Sequence, residues 1–177
     1  MSECWMQTYT GGVFYPLDPD PGSIRVEDIA GALSKTCRFN GHCLRFYSVA
    51  EHCLHIAERA PDHLKLTALL HDASEAYLGD VIRPLKPRLT NYAEIEDRLM
   101  TIIAKKFRFP WPSEEIKKLD TAILGDERQQ IMAKTDIAAA AWGNPLPPLG
   151  VTIACWSPAE ANQRFLDAFY FYGGRAQ

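Results

Sequence analysis

The chain has 177 residues, 47% of them hydrophobic and 23% charged, and a formal net charge of -3. This length suits one domain that buries its own core. A slightly acidic chain gives no support for binding a nucleic acid polymer or an anionic membrane surface. The first residues lack a secretory signal pattern, and no stretch approaches the roughly 18 apolar residues of a membrane span. We therefore expect a cytoplasmic protein without membrane partners.

Five cysteines are present, an odd number, and no two of them form a C-x-x-C pair. This pattern suggests neither a disulfide framework nor a zinc site made of cysteines. We expect reduced thiols.

Glycine and proline are concentrated before residue 24, where they prevent long regular structure. We expect an irregular N-terminal arm at 1–23, with a short extended pair near Val13, and a single domain at 24–177. Beyond the arm the apolar spacing is helical, which predicts an all-α helical bundle. The predicted helices lie at 24–34, 66–80 and 91–107, one runs from Tyr47 to Pro61, and two more begin after Ser113 and Ser157.

The segment from Leu66 to Asp80 combines an apolar helical stripe with acids and a histidine. Its spacing predicts one buried helix that ends at Gly79. Within it lie His71 and Asp72, and burying a carboxylate beside an imidazole is costly unless a cation compensates. The segment therefore predicts half of a divalent metal site.

A second histidine, His52, lies in the preceding helix. Ser48 is its predicted N-cap, and Glu51, three residues later, completes a capping box. Because the connection to the 66–80 segment is short, we expect the two helices to be neighbours. A histidine on a helix is more often structural than a ligand. The packing of the two neighbouring helices is what would bring His52 within reach of His71.

Asp120 stands among apolar residues in the helix that begins after Ser113, which makes it the natural candidate for a last ligand. Asp126 and Glu127, further along the same helix, are expected to face solvent.

Two loops carry candidate substrate-binding residues. In the first, Arg38, Phe39 and His42 could bind a phosphate and pack against a sugar. A surface loop with an arginine salt bridge explains these residues as well. The second, at 81–88, contains prolines and is expected to be extended. It would hold Arg83 or Lys86 at the mouth of the site, or else be an exposed basic loop.

The order His52, then His71-Asp72, then Asp120, all on predicted helices, resembles the H…HD…D signature of the HD superfamily of metal-dependent phosphohydrolases. The sequence HDASE, followed by GD and a proline, resembles the bacterial 5'-deoxynucleotidase branch. This resemblance implies an HD-domain helical bundle in which these four residues bind one divalent cation. Oxygen and imidazole ligands suit manganese, cobalt, zinc, iron or magnesium.

The same resemblance implies acid–base roles for Glu75 and Asp80, and contacts of Arg38 and Phe39 with phosphate and sugar. The chain departs from that branch in two respects. The connection between the two histidine motifs is shorter, and Phe39 stands where the branch has tryptophan.

These features predict an enzyme that removes the 5'-phosphate from deoxynucleoside monophosphates, a small-molecule nucleotide being its partner. One alternative is a triphosphohydrolase that converts deoxynucleoside triphosphates to deoxynucleoside and triphosphate; another is a catalytically silent nucleotide-binding HD module. Aromatic residues between Phe165 and Tyr170 are expected to be buried. A homo-oligomer would account for this apolar helix, and core burial explains it equally well.

Overall fold

The structure is a computed structural model that describes residues 4–135 and 146–175. The predicted arm and domain also include 1–3, 136–145 and 176–177, which lie outside the described residues. Within the described ranges the chain forms seven α-helices and one two-stranded sheet, in agreement with the predicted all-α class. Every described helix is too short or too polar to reach across a lipid bilayer. The helices are α1 (Val26–Leu33), α2 (Val49–Arg59), α3 (Lys65–Leu69), α4 (Glu75–Leu78), α5 (Tyr92–Phe107), α6 (Glu114–Ile131) and α7 (Pro158–Phe171).

The main core lies between α1, α2, α3 and α7, which pack against one another. Its largest fully buried side chains include Ile29, Leu69 and Phe165. The arm joins this core, because Phe14 is fully buried and its ring stacks on Tyr77 with 4.0 Å between the centroids. The predicted extended pair near Val13 is present as antiparallel strands β1 (Met6–Gln7) and β2 (Val13–Phe14).

The predicted N-caps at Ser48 and Ser113 are confirmed, and Ser157, where the last helix was expected to start, caps it in the same way. Each hydroxyl accepts a hydrogen bond from the backbone N–H three residues on: Ser48 at 3.1 Å, Ser113 at 3.4 Å and Ser157 at 3.2 Å. The second half of the capping box is wrong. The Glu51 carboxylate instead accepts hydrogen bonds from the N–H groups of residues 154, 155 and 156, at 2.8, 2.9 and 2.8 Å.

The prediction of one continuous helix over 66–80 is wrong. A tighter turn at 70–74 separates α3 from α4. His71 Nδ1 donates to the carbonyl oxygen of Ala68 at 2.8 Å, and so takes the acceptor that a regular helix would offer to the amide of Asp72. The amides of residues 73 and 75 accordingly bond to carbonyls three residues back instead of four.

Two smaller expectations also fail. The 81–88 segment is not extended but turns, and it ends in a short 3-10 helix at Lys86–Arg88. In α7, Phe165 and Phe169 are buried as expected, whereas Tyr170 is half exposed because it lies on the outer face.

Candidate metal centre and adjoining cleft

Four side chains from three parts of the fold meet at one place. His52 comes from α2, His71 and Asp72 come from the turn after α3, and one ligand atom of each lies within 4.8 Å of the others. Asp72 Oδ2 is 3.3 Å from His71 Nε2 and 3.7 Å from His52 Nε2. Asp120, from α6, places Oδ1 3.2 Å from His52 Nε2. The structure thus brings together the four residues that the sequence nominated as ligands.

The hydrogen bonds of the two imidazoles fit a metal site. His52 Nδ1 lies 2.8 Å from Oε1 of Glu127, and His71 Nδ1 lies 2.8 Å from the Ala68 carbonyl. Both partners are acceptors, so in the neutral rings each Nδ1 carries the hydrogen and each Nε2 presents a lone pair. Both Nε2 atoms are buried without a hydrogen-bond partner, and they face carboxylate oxygens that are acceptors too. Acceptors that converge on acceptors are stabilised by a positive charge between them, which either a proton on an imidazole or a bound metal ion would supply.

The electrostatics of the centre point the same way. Burial opposes protonation of His71, but the Asp72 carboxylate outweighs it and raises the pKa of His71 well above its ordinary value. Burial would raise the pKa of Asp120, but the His52 ring outweighs it and lowers this pKa to about 2. The centre therefore attracts positive charge strongly.

Glu127 belongs to the centre although its sequence context did not predict it. It was expected to face solvent, and it is fully buried. Besides holding His52, its carboxylate contacts Arg38, with Nε 3.2 Å from Oε1 and Nη2 3.4 Å from Oε2. Glu127 lies seven residues after Asp120, which on a helix is nearly two full turns and places both acids on one face. That spacing is the signal that could have identified it.

Asp126 was also expected to face solvent and is also buried, for a different reason. Its carboxylate accepts hydrogen bonds from the backbone N–H groups of residues 149, 150 and 151, at 2.7, 3.1 and 3.1 Å. It anchors the segment that precedes α7.

A cleft of about 610 Å³ opens beside the centre. Most of the predicted substrate residues line it, and Arg38 lies over the Phe39 ring with 5.2 Å between Cζ and the centroid. His42 differs from the other candidates because its side chain is exposed and does not contribute to this lining. The lining comprises Arg38, Phe39, Asp72, Glu75, Asp80, Val81, Ile82, Arg83, Pro84, Lys86, Asp120 and Leu124.

Glu75 is suited to proton transfer. It is 5% exposed, and its Oε2 is buried without a hydrogen-bond partner. Burial, reinforced by the charges of Asp72 and Asp80, raises the pKa of Glu75 well above its ordinary value, although Lys86 opposes the shift. Burial also raises the pKa of Asp80. Two carboxyl groups beside the centre can therefore exchange protons closer to neutral pH than ordinary acids.

The cations of the cleft are already paired. Arg83 Nη2 donates to Asp120 Oδ2 at 3.1 Å. The Lys86 ammonium donates to Glu96 at 2.8 Å and lies 3.5 Å from Glu75. The cleft lining contains three cationic side chains, Arg38, Arg83 and Lys86, and four carboxylates, Asp72, Glu75, Asp80 and Asp120. Without a bound cation, this cleft has little spare positive charge for an anionic ligand.

No family model matches the chain. Two curated proteins are similar to it over most of its length. The uncharacterized protein YfdR of Escherichia coli K12 is 36% identical over 128 residues, which cover 72% of each chain. The uncharacterized protein RCAP_rcc00048 of Rhodobacter capsulatus is 36% identical over an alignment of 183 positions, gaps included, which covers 93% of each chain.

Proposed function

We propose that this chain, which belongs to the same family as YfdR and RCAP_rcc00048, is a metal-dependent phosphohydrolase with an HD-domain helical bundle. Its substrate would be a deoxynucleoside 5'-monophosphate. The observation that carries the proposal is the pair of buried, unpartnered imidazole Nε2 atoms that converge with two carboxylates at the edge of a cleft. The combined donor set supports one divalent cation held by His52, His71, Asp72 and Asp120.

The protein side chains divide the remaining work. When bound, the divalent cation would supply Lewis acidity toward a phosphate oxygen and lower the pKa of a water. Glu75 would take the proton of the attacking water at its free Oε2, and Asp80, whose pKa is raised by burial, would donate a proton to the leaving oxygen. Arg38 would bind the phosphoryl group with a guanidinium whose direction is held by Glu127, while Phe39 covers the sugar.

The charge balance of the cleft favours a monophosphate over a triphosphate. The triphosphohydrolase alternative needs cations to neutralise a longer anion, and the sequence offers Arg83 and Lys86 for that purpose. Both side chains already form ion pairs, with Asp120 and Glu96, and these pairs would have to break before the cations could bind a triphosphate. A monophosphate carries fewer negative charges than a triphosphate, so its binding requires less of this rearrangement.

The test is a release assay on the full chain. Protein stripped with a chelator is supplied with manganese, cobalt, zinc, iron(II) or magnesium and incubated with a panel of deoxynucleoside mono- and triphosphates. We expect orthophosphate from monophosphates with at least one cation. Release of triphosphate from deoxynucleoside triphosphates would instead identify the chain as the alternative enzyme, a triphosphohydrolase. Nucleotide binding without release under any condition would favour the silent binding module.

The matched variant is Asp72→Asn. It should lose bound metal and activity together, because it removes the carboxylate that contacts both imidazoles. Asp167→Asn is the control, since Asp167 is exposed and accepts a hydrogen bond from Gln163 on the surface of α7. Metal content is measured by mass spectrometry of the eluted ion and folding by circular dichroism. Full activity in Asp72→Asn would rule out the proposed centre.

A further inference from the structure

We propose that Cys37 and Cys43 form a reversible intramolecular disulfide, which closes the loop carrying Arg38 and Phe39 when the chain meets a small-molecule disulfide such as glutathione disulfide. The two sulfur atoms are 3.6 Å apart. Both thiols are free and partly accessible. They stand at the two ends of the loop, so that the bond between them would span its base.

The loop between the two thiols is conformationally constrained. Phe39 and Asn40 are consecutive non-glycine residues with positive φ angles of 55° and 54°. The Arg38 N–H donates to the Tyr47 carbonyl at 2.9 Å, and the Cys43 thiol lies 3.8 Å from the Arg38 carbonyl. A change at the sulfur atoms therefore acts on a backbone with few alternative conformations.

The loop is connected to the metal centre by two routes. The Arg38 guanidinium contacts Glu127 at 3.2 Å and Asp72 at 3.7 Å. Cys37 pairs in an isolated β-bridge with Ser48, the residue that caps the helix carrying His52. Bringing the sulfurs from 3.6 Å to bonding distance, roughly 2 Å, would displace the two ends of the loop relative to each other and change the contact of Cys43 with the Arg38 carbonyl.

The chemistry is a thiol–disulfide exchange in two steps. The Cys37 thiolate attacks one sulfur of glutathione disulfide, which forms a mixed disulfide and releases one glutathione thiolate. Cys43 then attacks the Cys37 sulfur and expels the second glutathione. The two protons of the protein thiols end on the two glutathione molecules, so two protein thiols are oxidised and one glutathione disulfide is reduced.

The order of the two steps follows from the surroundings of Cys43. The Cys43 thiol donates to the Arg38 carbonyl at 3.8 Å, and burial and the hydrogen bond with Cys37 raise its pKa to about 11, so that Cys43 is the weaker nucleophile for the first attack. Cys155 packs against the same small apolar cluster as Cys43. It could therefore form a disulfide with either cysteine in place of the proposed one, and the experiment has to distinguish these bonds.

Tryptic mapping tests the bond directly, because cleavage after Lys35, Arg38 and Arg45 separates the two cysteines into peptides 36–38 and 39–45. The folded chain is incubated with glutathione disulfide, alkylated and digested without reductant. We expect these two peptides to be joined, and to separate after dithiothreitol. A link from either cysteine to Cys155, glutathione adducts alone, or unmodified thiols would each overturn the proposal.

Two variants sharpen the mapping. Cys43→Ser should accumulate glutathione on Cys37, because the second step has no nucleophile. Cys155→Ser should retain the 36–38 to 39–45 link. Circular dichroism establishes that each variant is folded, and absence of the adduct in folded Cys43→Ser would contradict the order of attack.

The effect on the cleft rests on the proposed function and is measured separately. We expect oxidation to raise the KM for a deoxynucleoside monophosphate roughly threefold or more, since the substrate loop is displaced. Dithiothreitol should reverse the change, and Cys37→Ser should not respond to the oxidant. An unchanged KM in cross-linked protein would overturn control of the loop by the disulfide. Absence of turnover in reduced protein would instead count against the proposed function, while the mapping stands independently.

Discussion

Each imidazole of the centre uses one nitrogen in an orienting hydrogen bond and leaves the other available to a metal ion. Glu127 orients His52, and the Ala68 carbonyl orients His71. Such orienting contacts fix the tautomer and raise the basicity of the coordinating nitrogen. Glu127 also neutralises Arg38 in a buried position, so one carboxylate positions both a candidate metal ligand and the guanidinium proposed to bind phosphate.

We predict that Glu127→Gln weakens metal binding by about 10- to 100-fold. The amide removes the negative charge that polarises His52 and that balances Arg38. Metal affinity is measured by competition with a chromophoric chelator, with folding followed by circular dichroism. Glu115→Gln, on the exposed face of the same helix, is the control and should bind metal as the wild type does. Equal affinities for the two variants would remove Glu127 from the centre.

A separate prediction concerns Glu75, which lies in the cleft and is not one of the nominated ligands. Glu75→Gln should keep its metal and lower kcat by about 10²- to 10⁴-fold, because the amide cannot accept the proton. Glu96→Gln is the matched control, since Glu96 accepts a hydrogen bond from the same Lys86 ammonium. If both variants lose activity equally, the effect belongs to the positioning of Lys86 and not to proton transfer.

At the scale of elements, two side-chain contacts alter the helical framework around the centre. The His71 bond to the Ala68 carbonyl interrupts the helix and leaves His71 and Asp72 on adjacent positions of a tight turn, both directed to the centre. Glu51, one residue before His52, holds the 154–156 segment through three backbone N–H groups. These N–H bonds and His55 lower the pKa of Glu51 although burial opposes the shift.

We predict that Glu51→Gln lowers the free energy of unfolding by about 2–4 kcal/mol. The amide –NH₂ would face a backbone N–H, so at least one buried donor loses its acceptor. Chemical denaturation provides the measurement. Glu58→Gln, on the same helix with a largely exposed side chain, should stay close to the wild type. A loss no larger than that of the control would show that the segment is held by packing alone.

At the scale of the whole molecule, the centre ties together parts that are far apart in sequence. His52 and Asp120 are 68 positions apart along the chain, and the turn at 70–74 lies between them. A cation bound by these three parts would stabilise the native state by mass action, because the unfolded chain does not assemble the ligand set.

We expect a saturating divalent cation to raise the melting temperature by roughly 5 °C or more, since a hundredfold excess over Kd corresponds to about 2.7 kcal/mol. A chelator should reverse the shift, and Asp72→Asn should show none. Differential scanning calorimetry with each cation in turn also ranks the metals. The same shift in Asp72→Asn would mean that the ion binds elsewhere.

Local rules were sufficient for much of the architecture. The serine N-caps, the stop at Gly79 and the apolar faces of α1 and α5 depend on residues within one or two turns, so their spacing predicts them. Residue type and order also nominated the histidines and acids that the fold brings together, because buried imidazoles beside carboxylates have few purely structural uses.

Only the tertiary structure decided which acids are buried and where the helix breaks. Glu127, Asp126 and Glu51 are residue types typical of a solvated helix face. Each is buried because folding brings it hydrogen-bond partners that lie 23 to 105 positions away along the chain. The break before Asp72 depends on one side-chain hydrogen bond that competes with the backbone ladder. Periodicity reports which face of a helix is apolar, whereas a buried charge is stabilised by specific partners that assemble only when the chain has folded.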